Sequence, residues 1–99
     1  MSHDEALNLF HEWKLTGASL FASGTNADGS AISIPGASVK STSTHALTLR
    51  NGNKEIQFDL SSANFGKTEG IPKHLLRVPI TSVSIAFPNG AALAIFELF

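Results

Sequence analysis

The chain has no cysteine and no tyrosine, and only one tryptophan and one methionine among its 99 residues. Without thiols, a disulfide scaffold, a Cys-ligated zinc and a thiol nucleophile are all excluded. Charge is scarce too: 15% of residues are charged, against about 25% in an average soluble domain. The formal net charge of −1 removes the long-range positive field of an obligate nucleic-acid binder. No apolar run approaches the ~20 residues that span a bilayer as a helix. The longest, 91–99, is interrupted by Glu97. The polar start Met1-Ser2-His3-Asp4-Glu5 lacks the basic and apolar regions of a signal peptide, and neither end carries a lipidation motif. The expectation is a cytoplasmic protein with no membrane partner.

What the chain does have is a hydrophobic fraction of 42% and nineteen serines and threonines, which take over much of the solvent-facing role of charge. Its length fits one domain, 1–99, with a single modest core. Ser2-His3-Asp4-Glu5 reads as a capping box, and Asp4 and Glu5 fall where the helix dipole favours negative charge. Ala6, Leu9, Phe10 and Trp13 share one helical face, with Leu7 at its edge, and Gly17 suits a left-handed cap. These features predict an amphipathic helix over about 3–15, burying Leu7, Phe10 and Trp13.

Beyond Gly17, turn dipeptides recur at Asp28-Gly29, Pro35-Gly36, Asn51-Gly52 and Asn89-Gly90, separated by segments rich in Ile, Val, Thr, Leu and Phe. This is the pattern of consecutive hairpins. Strands are predicted near 18–24, 30–34, 37–43, 45–51, 54–60, 77–87 and 91–98, with 37–43 and 45–51 as candidates for one long bent strand. For the Asn51-Gly52 hairpin, pairing Leu49 with Ile56 and Leu47 with Phe58 leaves Arg50 opposite Glu55 and Thr48 opposite Gln57. A one-residue slip would bury Lys54 or Glu55. Gly52 as the first central residue suits a type II′ turn. Segment 61–76 reads as the single long loop, with Phe65, Ile71, Leu75 and Leu76 available to pin it to the body.

Motifs of chemistry are thin. Gly66-Lys67-Thr68 imitates the end of a phosphate loop, but Ser61 stands where the first Gly belongs and Pro72 breaks the helix that must follow. His11-Glu12 opens an H-E-x-x-H pattern, yet Leu15 takes the place of the second His. There is no G-x-S-x-G elbow. The sequence therefore predicts no enzyme, no metal and no cofactor.

Charge is unevenly placed. Six of the seven Lys/Arg lie between Lys40 and Arg77, and the segment before them is net acidic. Lys67, Lys73, His74 and Arg77 are thereby candidates for binding an anion or a single-stranded nucleic acid, which is possible but not favoured: aromatic stacking platforms are needed and there is no Tyr. A pocket for a small ligand near Phe65 and His74 is a further alternative. The terminal segment is apolar on both faces, as in a strand covered on each side or by a second subunit; a short helix is the competing reading. Ile95, Phe96, Leu98 and Phe99 are its candidate interface residues, on the expectation that this strand lies at an edge and that the protein is a homo-oligomer, either a dimer or a small ring.

An N-terminal helix ending in Gly and followed by bent antiparallel strands resembles the Sm-like small β-barrel superfamily. The residues carrying the likeness are Gly36, Val39, Ser41, Leu47 and Leu49, followed by Glu55-Ile-Gln-Phe-Asp-Leu60. The layout is also similar to small uncharacterised bacterial proteins, a likeness that implies no activity. The Sm-like resemblance implies a mainly β fold, a small partly open SH3- or Sm-like barrel or roll of five to seven antiparallel strands with the helix over one end. Ser43-Thr44 replaces the acidic residue usual in the turn between the family's central strands, and no I-R-G or K-H signature follows Phe58. No RNA-binding position is therefore carried over. The leading functional expectation is a non-enzymatic, self-associating interaction module.

Overall fold

A computed structural model describes residues 2–66 and 82–98. The order of elements is α1 (His3–Thr16), β1 (Leu20–Thr25), β2 (Ala31–Thr42), β3 (Ala46–Asn51), β4 (Lys54–Asp59), β5 (Asn64–Gly66), β6 (Ser82–Ala86) and β7 (Ala92–Glu97). The seven strands form one antiparallel sheet in the order β4-β3-β2-β1-β7-β6-β5. Strands consecutive in the chain are neighbours throughout, except β4 and β5. β7 closes back on β1, and β4 and β5 form the two edges. The architecture is thus mainly β with one N-terminal helix.

The helix begins as its capping chemistry dictates. The Ser2 hydroxyl accepts the Glu5 N–H at 3.1 Å, and Gly17 closes the far end in the left-handed region. Ala6, Phe10 and Trp13 are buried, while Leu7 and Leu9 are half-buried against the same core. Three contacts anchor the helix to the sheet. His3 Nε2 lies 3.0 Å from the Thr44 carbonyl, the Phe10 ring meets Phe65 of β5 edge-on at 6.1 Å, and Trp13 Nε1–H donates to Glu97 of β7. Burial of Phe10 and Trp13 contributes about 1.5–3 kcal/mol each.

The β3–β4 hairpin has the register read from its sequence, with Leu49 opposite Ile56, Leu47 opposite Phe58 and Arg50 opposite Glu55. Gly52 has φ of 60° while Asn53 is not in the positive-φ region, the combination of a type II′ turn. The β1–β2 and β6–β7 turns are built alike. Each has a positive-φ Gly, Gly29 or Gly90, and an Asp28 or Asn89 side chain that accepts the backbone N–H two residues on. The terminal segment is strand β7.

Three expectations need correcting. Pro35-Gly36 is no turn: it lies within β2, so the long bent strand joins the predicted 30–34 and 37–43 rather than 37–43 and 45–51. Gly36 adopts φ of 64°, which inserts an extra residue opposite β1 and bends the strand without ending it. β7 is not an edge strand, being flanked by β1 and β6. Within the predicted 61–76 loop, Asn64–Gly66 is strand β5, paired to β6; residues 67–76, like 77–81 of the predicted sixth strand, lie outside the described residues.

Gly24 is required by a close approach of backbones. A Cβ there would sit 2.0 Å from the Ala92 carbonyl oxygen of β7. At Gly66 a Cβ would meet only the Ser84 hydroxyl, at 3.3 Å. Gly24→Ala is expected to cost at least ~2 kcal/mol, lowering the melting temperature by roughly 10 °C, whereas Gly66→Ala changes it little. Thermal melts followed by circular dichroism check this; equal melting temperatures for the two variants contradict it.

Candidate functional site

The inward side chains of β1, β7 and β6 build the core: Leu20, Ala22, Leu93, Ile95, Val83 and Ile85 are all buried. Alternation then places Phe21, Ser23, Ala94, Phe96, Ser82 and Ser84 on the opposite, outward face. Antiparallel sheets with one solvated face ordinarily alternate apolar-in with polar or charged-out. Here the outward positions of these three strands are Phe, Ser, Thr and Ala, with no charged residue among them.

The registers put these side chains in rows across the strands. Phe21 pairs with Phe96, which pairs with Ser82, and the two rings lie 6.5 Å apart at 40°. Both Phe are half-buried, and Leu98 beyond them is 45% exposed. The next row is Ser23, Ala94 and Ser84, followed by Gly66 on β5. These small side chains leave a shallow trough of about 500 Å³ beside the aromatic ridge. Ridge and trough together form the candidate site.

Of the residues the sequence proposed for an interface, Ile95 is wholly buried in the chain's own core, so its side chain cannot face a second subunit. Phe96 and Leu98 are on the outward side, and Phe99 lies outside the described residues. Phe21, which sequence reasoning missed, completes the ridge. Its signal was alternation with Leu20 and Ala22, obscured because Leu20-Phe21-Ala22 is one apolar run.

The proposed anion-binding residues Lys67, Lys73, His74 and Arg77 lie outside the described residues. Of the other cations in that basic stretch, Lys40 and Arg50 are held by one carboxylate. Lys40 Nζ donates to both Glu55 oxygens, at 2.5 and 2.6 Å, and Arg50 reaches Glu55 at 3.4 Å. Hydrogen bonding to Lys40, and then its charge, holds the Glu55 carboxyl below its ordinary value of 4.5. The cluster is exposed, so it is worth little to stability and less in salt. Asn64–Gly66, at the end of the loop part of the phosphate-loop motif, is strand, and the helix that must follow it falls outside the described residues. Among the described residues there is no group of three His, Asp or Glu placed to hold a metal ion, and no helix long and apolar enough to cross a membrane.

Comparison with protein-family models, with curated proteins and with solved structures finds no match to this chain.

Glu55 titrates below its ordinary value, so its contribution is present above pH 4.5 and is lost as the pH falls through its lowered value in the folded protein. In low salt, Glu55→Gln is expected to flatten the acid limb of the stability curve by slightly lowering stability at pH 6, while leaving stability at pH 2.5 nearly unchanged. Urea melts between pH 2.5 and 6 read this; an acid limb as steep in the variant contradicts it.

Proposed function

We propose that the protein is a non-enzymatic interaction module of the cytoplasm that associates with copies of itself through the outward face of β1, β7 and β6. The observation that carries this reading is the uncharged face itself. Its Phe21–Phe96 ridge stands beside a trough floored by Ser23, Ala94 and Ser84. A twofold arrangement seats each ridge in the partner's trough, so one patch supplies both halves of the contact. The absence of charge lowers the desolvation cost of bringing two such faces together.

The proposal extends to architecture. A meander whose first and last strands pair, preceded by a helix, supports kinship with the Sm-like small β-barrels, in which case the assembly is a dimer or a small ring. Single-stranded nucleic acid is the alternative partner, and no observation among the described residues favours it. Lys40 and Arg50 are already paired with Glu55, and none of the described outward residues of β1, β7 and β6 beside Phe21 and Phe96 is a cation.

A truncation from 94 onward would remove four of the six residues of the internal strand β7, so a point substitution is the cleaner test. Phe96→Glu places a charge on the outward side and spares the core. Light scattering is expected to give a multiple of 10.5 kDa for the wild type and the monomer mass for Phe96→Glu, with the melting transition retained. A wild type monomeric at its highest soluble concentration overturns the proposal.

A further inference from the structure

β4 is an edge strand, and the geometry of its hairpin determines which backbone groups face outward. A two-residue turn makes Asn51 and Lys54 a hydrogen-bonded pair, and alternation continues the pattern through Ile56 and Phe58. The Leu60 N–H donates to the His45 carbonyl at 2.8 Å, in step with that alternation. The N–H and C=O of Glu55 and Gln57 therefore point away from β3, and among the described residues no strand lies on that side.

A cleft of about 380 Å³ runs against this edge. Gln57, Phe58 and Asp59 all line it. Asn26 and Ile32 of the β1–β2 hairpin also line it, so the cleft lies between β4 and the neighbouring hairpins. Its far wall is the β6–β7 turn, where Phe87 stacks on Phe58 with centroids 6.1 Å apart and planes at 25°. Two near-parallel rings at this separation leave no room for a third between them, so they act as one apolar platform. The lining carries one carboxylate, Asp59, and no cation. Asp59 spends one oxygen on the Ser61 N–H at 2.9 Å.

The geometry points to strand addition: the β4 edge binds an extended peptide segment of another protein, one that sets an apolar side chain on the Phe58–Phe87 platform and a Lys or Arg against Asp59. Outward-facing backbone groups supply affinity in this mode, and the side-chain positions supply selectivity. Phe58 and Asp59 lie on opposite sides of the strand, so the apolar and basic residues of the peptide stand an odd number of positions apart. A second copy of this chain is a poor occupant. Antiparallel pairing of β4 with itself about Gln57 sets Asp59 against Glu55, a carboxylate already engaged by Lys40 and Arg50, so a second copy offers Asp59 no cation at the paired position. The site is separate from the face proposed for self-association.

The test uses a phage-displayed octapeptide library, with the most enriched sequence then synthesised with acetyl and amide ends for fluorescence anisotropy. Enriched peptides are expected to carry the apolar–basic pair at odd spacing. Gln57→Pro removes an outward N–H without touching the β3 ladder, and edge strands tolerate such a proline. It is expected to weaken binding at least tenfold while the melting transition persists; Asp59→Asn is expected to weaken only peptides with the basic residue. Failure to enrich any peptide overturns the proposal, as does equal binding by Gln57→Pro. Loss of the wild-type oligomer in Gln57→Pro also overturns it, because the edge then belongs to a second copy.

Discussion

The fold depends on one strand that changes partner halfway along. β2 runs for twelve residues, pairing with β1 through its first half and with β3 through its second. A straight strand of that length, about 36 Å between its end Cα atoms, would exceed the 34 Å extent of the molecule along its longest principal axis. Two irregularities bend it. One comes at Pro35-Gly36, and the second comes where the register with β3 slips between Val39 and Ser41, leaving Lys40 as the extra residue. Inward positions accordingly fall at Ile34, Ala37, Val39 and Thr42, spaced by three, two and three. The bend carries the β3–β4 hairpin round so that Phe58 reaches Phe87, across from the other end of the sheet order. Both the shared core and the cleft follow from it.

That bend also explains which parts of the fold were legible. The helix could be read because its signals are local: a Ser cap, a four-residue apolar period and a terminal Gly. The β3–β4 register could be read because a two-residue turn joins strands whose only consistent pairing keeps Lys54 and Glu55 in water. β2 was misread because Pro-Gly serves a turn and a positive-φ bulge equally well, and because its 3-2-3 spacing breaks the period-two signal on which strand recognition rests. β5 was missed because three residues are too few to show any period. Its partner β6 supplies the pairing, and that pairing is not local in sequence.

The candidate site shows the same division. The apolar excess of the terminal segment was visible in the sequence, and it was assigned to an edge because a strand apolar on both faces calls for cover on both. The cover on the inner face is the chain's own core, where Ile95 lies fully buried. Only Phe96 and Leu98 are left to the outer face. Phe21, nearly eighty positions earlier, joins them because β7 closes on β1, the one pairing in the sheet between strands remote in sequence. A residue set split across the chain in this way has no signature as a set, and the alternation that marks Phe21 as outward is hidden within one apolar run.

Scarcity of charge has a specific address in this structure. Among the described residues, exposed carboxylates and cations stand on α1, at Asp28 in the β1–β2 turn, at Lys40 of β2 and on the β3–β4 hairpin, while the outward positions of β1, β7 and β6 carry none. An uncharged sheet face and a charged edge restrict association in different ways. Ser, Ala and Phe on the face offer no like-charge penalty, so identical faces can meet. At the β4 edge, antiparallel self-pairing sets Asp59 against a Glu55 already engaged by Lys40 and Arg50, while the edge stays available to a segment that brings positive charge.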